Sequence, residues 1–396
     1  MARRPPIRIL ASCQPGIGHL GVLLPIALAL RRAGADVRFA AAASFRREVA
    51  RAGFASFAAG LDWSLDRADE AFPALRRLGP VARAVAFPRE VFLGRAASAM
   101  AHSLVRIAPR FRPHLVLREG WEYGAFAAAM RLELPLVTVG AAPYLPPAAL
   151  PGAFGDGFDR LRRELGVAPD PSHRDVYGRL FLDAVPPGIQ LPGPKHAGHR
   201  YIRPVLARRA EPAPELPPGR APLVYVTFGT VWSGAPGLYE TVLAGLARVP
   251  VRVRVLVSSG VRDPRSLGRQ PPSVRIERRV AQHAILPRCD LVIHHGGYNT
   301  TVESLACGVP ALIIPISADQ FFFAARCQAA GVARTLSRET LAPDQLAAAV
   351  GDLLANPAYR HRADAMARRM KRLMSPRDAA RRIIDLAKGP ETTPRR

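Results

Sequence analysis

The feature that most restricts this chain's fold is the order of apolar segments at its start. Residues 7–11 read as a strand, residues 12–19 as a turn, and the stretch to Ala33 as a helix closed by Gly34; residues 36–40 read as a second strand. Parallel strands need a crossover between them, so this β-turn-α-β unit points to a parallel sheet carrying helices on its faces. Residues 115–117 and 136–139 add short apolar strands around an Ala-rich helix at 123–131, and residues 60–113 read as mostly helical, broken at prolines. From 186 to 222 prolines and glycines crowd in and periodicity is lost, as in a linker. The pattern then restarts: strands at 223–228, 251–257, 291–294 and 311–314 alternate with helices at 239–248, 299–307 and 319–330.

At 396 residues the chain exceeds one ordinary core. The expected fold is α/β, with two Rossmann-like, doubly wound parallel-sheet domains facing across a cleft. The expected boundaries are an N-terminal Rossmann-like domain over 1–205, a linker over 206–221 and a C-terminal Rossmann-like domain over 222–375. A C-terminal helix in 376–396 is expected to pack back on the first domain. Ligands of such sheets bind at the carboxyl ends of the strands.

Composition narrows the function classes. An apolar fraction of 49% argues against disorder. No apolar run approaches the roughly 18–20 residues a membrane span needs. Arg3 and Arg4 are followed by Pro5 and Pro6 rather than an apolar region, so a cytoplasmic protein is expected. The four cysteines form no CxxC pair, which argues against a metal site or disulfide framework. The net charge of +25 is almost all arginine, with only Lys195, Lys371 and Lys388 as lysines. Those arginines are spread along the chain rather than interleaved with aromatics, so nucleic acid is not the expected partner. Phosphorylated small molecules or an anionic membrane surface suit the charge better.

The densest motif, DLVIHHGGYNTTVESLACGVPALIIPISADQFFFAARCQAAG, begins at Asp290 and ends at Gly331. A buried strand runs through His294 and His295 into Gly296 and Gly297, and a helix starts near Tyr298 or Asn299. Glycines at a strand-to-helix turn let a ligand approach backbone amides, and the helix start favours an anion such as pyrophosphate. Glu303, one turn after Asn299, lies on the same helix face and can accept from two ribose hydroxyls. In the first half, residues 14–20 read Gln-Pro-Gly-Ile-Gly-His-Leu, placing His19 in the turn between a strand end and a helix.

The second-half motif resembles the donor-binding signature of family 1 glycosyltransferases, the GT-B superfamily that includes bacterial antibiotic or macrolide enzymes and plant natural-product enzymes. Its elements occur in order: His-x-Gly-aromatic-Asn-Thr, then Glu303, then Gly308-Val309-Pro310, then Asp319-Gln320. The resemblance implies that His295 and the amides around Gly296, Gly297, Tyr298, Asn299 and Thr300 hold a diphosphate. It implies Glu303 on the ribose, Asp319 and Gln320 on the donor sugar, and Gly229-Thr230 as a second phosphate-side loop. Where the family holds the base with Trp-x-Pro-Gln, this chain reads Arg279-Val280-Ala281-Gln282. An arginine plane at Arg279 can stack on a base, the Val280 backbone can pair with the pyrimidine edge, and Gln282 keeps its family position.

The resemblance also makes His19 the general base, with Glu119, at the end of the 115–117 strand, orienting it; Glu122 is the second candidate for that partner. Neutral imidazole suits proton removal near pH 7, and such help contributes about 10² to 10⁴ in rate. The expected reaction is inverting transfer of a sugar from a nucleoside-diphosphate sugar to a hydroxyl of a small apolar natural product. Neither a metal nor another cofactor is called for. Trp63, Phe72, Phe87, Phe92, Trp121 and Tyr144 are candidates for the acceptor surface. Because a carboxylate at 303 matches both ribose hydroxyls, a UDP-sugar is expected over a TDP-sugar. Other readings carried alongside are a membrane-surface lipid glycosyltransferase of the same fold, a nucleotide-sugar epimerase and a non-catalytic nucleotide-binding partner protein; a homodimer stays open.

Overall fold

The computed structural model describes residues 5–205, 214–229 and 234–389. They group into two units. One holds the chain as far as Val185, Leu191–Arg203 and the segment from Met374 onward; the other holds Pro186–Gln190 and the segment from Pro204 to Leu373.

The first unit is built on β1 (Arg8–Ser12), β2 (Asp36–Ala41), β3 (Ser56–Ala58), β4 (Leu115–Glu119), β5 (Leu136–Gly140), β6 (Leu180–Asp183) and β7 (His199–Tyr201). They form one seven-stranded sheet in the order β3-β2-β1-β4-β5-β6-β7, parallel throughout. Every residue of β4 and β5 is buried, as befits a parallel sheet covered on both faces. The helices Ala96–Phe111 and Gly124–Arg131 pack closely because Gly124 lacks a Cβ, which would lie 2.5 Å from the Ala97 carbonyl oxygen. The helix Pro376–Lys388 packs on the helix Ile17–Arg32 and buries Ala379, Ala380 and Ile383. Burying Ile383 alone stabilises by about 1.5–3 kcal/mol. The Arg203 amide donates to the Met374 carbonyl at 2.8 Å, which ties that tail to the end of the sheet.

The second unit carries β8 (Leu223–Thr227), β9 (Arg254–Ser258), β10 (Val274–Glu277), β11 (Leu291–His294), β12 (Ala311–Ile313) and β13 (Ala333–Thr335). Their order, β10-β9-β8-β11-β12-β13, repeats that of the first six strands of the other sheet, again all parallel. In both sheets the order reverses next to the first strand, between β1 and β4 and between β8 and β11. A crevice opens at the carboxyl end of such a switch point.

The stretch expected as a linker is more than that. It contains β7, the outer strand of the first sheet, and its residues Pro186–Gln190 belong to the second unit. Arg326 holds that short segment by donating to the Ile189 and Gln190 carbonyls at 3.0 and 3.2 Å. Among the described residues, no helix is long and apolar enough to cross a membrane.

Candidate active site residues at the two switch points

In the first unit the turn after β1 is held from several sides. Gln14 Nε2 donates to the Trp121 carbonyl at 2.8 Å, and the Gly16 amide closes on the Gln14 carbonyl at 2.8 Å. A Cβ on Gly16 would lie 2.5 Å from Leu65 Cδ1, so a larger residue would push the Leu65 side chain aside. His19 stands in the first turn of the helix Ile17–Arg32. Because β1 and β4 are neighbours, their carboxyl ends bring His19 beside Glu119, with Nδ1 and Oε2 2.9 Å apart. The Glu119 side chain is buried and that of His19 is 22% exposed. The other Glu119 oxygen accepts the Trp121 amide at 3.0 Å, which fixes the carboxylate's aim. A buried carboxylate against Nδ1 selects the tautomer in which Nε2 takes up a proton.

Glu122, the other candidate partner of His19, has a different task. Its two oxygens accept the Gly124 and Ala125 amides, each at 2.9 Å, at the start of the helix Gly124–Arg131. Its polar capacity is spent on orphan helix amides. Burial pushes its pKa up to about 6, against the pull of those amides and of Arg118.

The aromatic candidates largely gather at His19. Phe92 meets the His19 ring edge-on at 5.9 Å between centroids and lies 5.1 Å from Phe87, 5.6 Å from Trp121 and 6.4 Å from Trp63; Trp63 in turn contacts Phe72 at 5.2 Å. Phe87 and Phe92 are carried by a wide π-helical segment, Phe87–Arg95, interrupted at Gly94. Such widened turns re-aim side chains and recur at functional sites. Tyr144 does not join them. It packs against Tyr177 at 4.9 Å and against His199 at 5.2 Å, beside the buried His199–Asp183 pair.

In the second unit, β11 runs into the glycine turn. Gly296 has φ +86°, and a Cβ there would lie 2.9 Å from the Gln320 carbonyl oxygen, so the turn needs glycine. The Gly296 amide donates to His294 Nδ1 at 3.0 Å, which makes the buried His294 a part of the turn. The His295 ring lies where side chains on Gly229 and Gly297 would collide with it: their Cβ atoms would come 2.9 Å from Cε1 and 2.5 Å from Nε2. Burial lowers the His295 pKa to about 4 and that of His294 to about 3, so both rings are neutral at pH 7.

The helix Tyr298–Ala306 starts at this turn with Gly297 as its N-cap, presenting Tyr298, exposed Asn299 and buried Thr300 in its first turn. Glu303 lies one turn on and accepts from Gln282 Nε2 at 2.5 Å, while Thr300 Oγ1 donates to Gln282 Oε1 at 3.4 Å. Gln282 is therefore coupled to the carboxylate directly. Val280 packs against the Leu223–Val292 core cluster and Arg279 is exposed. Asp319 is the N-cap of the helix Gln320–Ala329 and follows Ala318, a non-glycine residue at φ +56°. Gln320 Oε1 accepts the Ile316 and Ser317 amides at 2.7 and 3.0 Å, leaving its NH₂ as the end that can donate to a ligand. Thr230 lies outside the described residues.

Sequence reading passed over Arg118, the residue before Glu119, which is fully buried beneath the turn. Its signal was a cation at the end of a wholly apolar strand.

Known proteins resemble this chain over nearly its whole length. Residues 240–386 match the family described as erythromycin biosynthesis protein CIII-like, C-terminal domain. The chain is 30% identical to the elloramycin glycosyltransferase of Streptomyces olivaceus, covering 95% of this chain and 97% of that one. It superposes on the glycosyltransferase SsfS6 of Streptomyces sp. SF2575, solved with thymidine diphosphate, with TM-score 0.74 and 25% identity over 96% of this chain and 99% of that one. The calicheamicin glycosyltransferase CalG4 shares the fold at TM-score 0.81 and 20% identity, over 98% of this chain and all (100%) of that one. With its two parallel sheets, matching switch points and motif order, the chain belongs to the GT-B glycosyltransferases of antibiotic biosynthesis.

Proposed function

We propose that this enzyme transfers a sugar from a nucleoside-diphosphate sugar to a hydroxyl of a small, apolar, ring-rich acceptor, with inversion at the anomeric carbon. The observation that carries the reading is the 2.9 Å approach of His19 Nδ1 to buried Glu119, with the buried Phe92 ring edge-on against the same imidazole. Nε2 of His19 removes the acceptor proton as that oxygen forms its bond to the anomeric carbon. The bond from that carbon to the diphosphate oxygen breaks, and the electron pair leaves with the diphosphate. One displacement of this kind inverts the centre. Glu119 steadies the imidazolium that forms.

The departing anion is assigned to the glycine turn, the start of the Tyr298–Ala306 helix and the His295 ring, with Gly229 giving them room. The reading calls on no metal for that counter-charge. Gln320 and Asp319 are assigned to hydroxyls of the donor sugar. A polycyclic aglycone is assigned to the partly exposed Phe87 and Trp121 rings, with Phe92 and Trp63 buried behind them.

A carboxylate at 303 supports uridine, whose ribose has both hydroxyls for it. A thymidine donor is the second reading, supported by the Gln282–Glu303 hydrogen bond, which engages one carboxylate oxygen, and by the thymidine diphosphate in SsfS6. Turnover of UDP-glucose and TDP-glucose, with and without a chelator, is compared for wild type and Glu303→Ala. If the carboxylate favours uridine, Glu303→Ala lowers the UDP:TDP ratio of kcat/KM about tenfold, about 1.4 kcal/mol. An unchanged ratio removes the uridine argument. A wild type that forms no glycoside with either donor across hydroxylated aromatic acceptors, as read by mass spectrometry, removes the whole reading.

A further inference from the structure

We propose that Arg118 is a positioning residue of the first-unit site, acting through Glu119; the inference rests on the reading of His19 as base. Arg118 and Glu119 are consecutive at the end of β4, so the pleat sends them to opposite sides of the strand. Glu119 goes to His19. Arg118 turns back under the same turn and gathers its carbonyls: Nη1 donates to Gly120 at 2.9 Å, to Glu122 at 3.2 Å and, weakly, to Glu119 at 3.5 Å. Nη2 donates to the Val176 carbonyl at 2.7 Å, which anchors the turn to the segment before β6. The guanidinium lies 5.2 Å from the Tyr123 ring centre and the residue is fully buried.

Taking a guanidinium out of water is expensive, and an apolar residue of similar size would fill the space at lower cost. What an apolar residue cannot do is hold successive carbonyls of one turn on a planar, permanently charged fork. That turn contains the Trp121 amide, which holds one oxygen of Glu119, and the Trp121 carbonyl, which receives Gln14 from the His19-bearing loop. The same cation lies beside the Glu119 and Glu122 carboxylates, offsetting the cost of keeping two acids in the interior. The arginine thus fixes both the place of Glu119 and the electrostatics that let it face an imidazole.

The test is a double-mutant cycle on the full chain: Arg118→Met, Arg118→Lys and Glu119→Gln singly, and each Arg118 variant combined with Glu119→Gln, with His19→Ala as reference. Readouts are kcat, KM for the donor, nucleoside-diphosphate affinity and melting temperature. The proposal expects Arg118→Met to lower kcat on the order of 10²-fold, within the range of general-base help, with donor KM and nucleotide affinity within about twofold. Arg118→Lys, which keeps the charge but fewer carbonyl bonds, should fall between. In the Glu119→Gln background both substitutions should cost almost nothing further in kcat, because the residue they act through is already lost. Losses that multiply in that background, or a kcat that survives Arg118→Met, overturn the proposal. If Arg118→Met does not fold, the Arg118→Lys cycle decides on its own. If His19→Ala keeps full kcat, it is the general-base reading that fails, which the cycle reports separately.

Discussion

Glu119 and Glu122 share one turn and are both buried, yet their surroundings give them separate tasks. Glu119 faces an imidazole and one amide; Glu122 faces two amides at a helix start. Glu119→Gln is therefore expected to lower kcat by roughly 10²-fold or more while changing stability little. Glu122→Gln loses one of two amide contacts and lowers the melting temperature, by the few degrees that about 1–2 kcal/mol of lost capping represents, with kcat within about twofold. Parallel kinetics and melts of the two variants check this, and equal losses of kcat would break the assignment. Glu119 was legible in the sequence because it ends an apolar strand, and His19 because it lies between such a strand and a helix, where the family resemblance places a base. The choice between the two glutamates was not fixed by spacing, since it depends on which carboxylate finds helix amides. Tyr144 was misgrouped for a similar reason: aromatic type says nothing of which side of the sheet a loop delivers it to.

Strand-turn-helix units were the most readable elements, because an apolar run ending in glycine has few alternatives. β3, β6, β7, β10 and β13 escaped notice because they are only three or four residues long, too short to show a period, and most carry polar residues, as in His199–Tyr201 and Ala333–Thr335. β7 was further hidden in a proline-rich stretch that reads as a linker. At the β11 turn, element geometry yields a direct prediction. Gly297→Ala would put a methyl group 2.5 Å from His295 Nε2 and push the ring out of its seat. Nucleoside-diphosphate affinity by calorimetry should weaken about tenfold or more, roughly 1.4 kcal/mol, while helix content by circular dichroism stays constant. Unchanged affinity would mean that the ring has no part in holding the diphosphate.

For the whole molecule, the two neutral histidines of the second unit set a limit on acid tolerance. Unfolded, each protonates near 6.5; folded, only near 3 and 4, so between about pH 4 and 6.5 the unfolded chain binds more protons. Stability should therefore be full above 6.5 and fall as pH drops through that window, by a few kcal/mol in all. Denaturant melts at pH 4.5 to 7 should show this slope, and His294→Asn should flatten it; an equal slope in that variant would discount the histidines. The arrangement of the first unit has a consequence for biosynthesis. The helix that carries His19 is made before the second unit, whereas the Pro376–Lys388 helix that covers it follows that unit in the chain. Until that segment is made, the Ile17–Arg32 helix must wait with the face that Ala379, Ala380 and Ile383 cover left open to water.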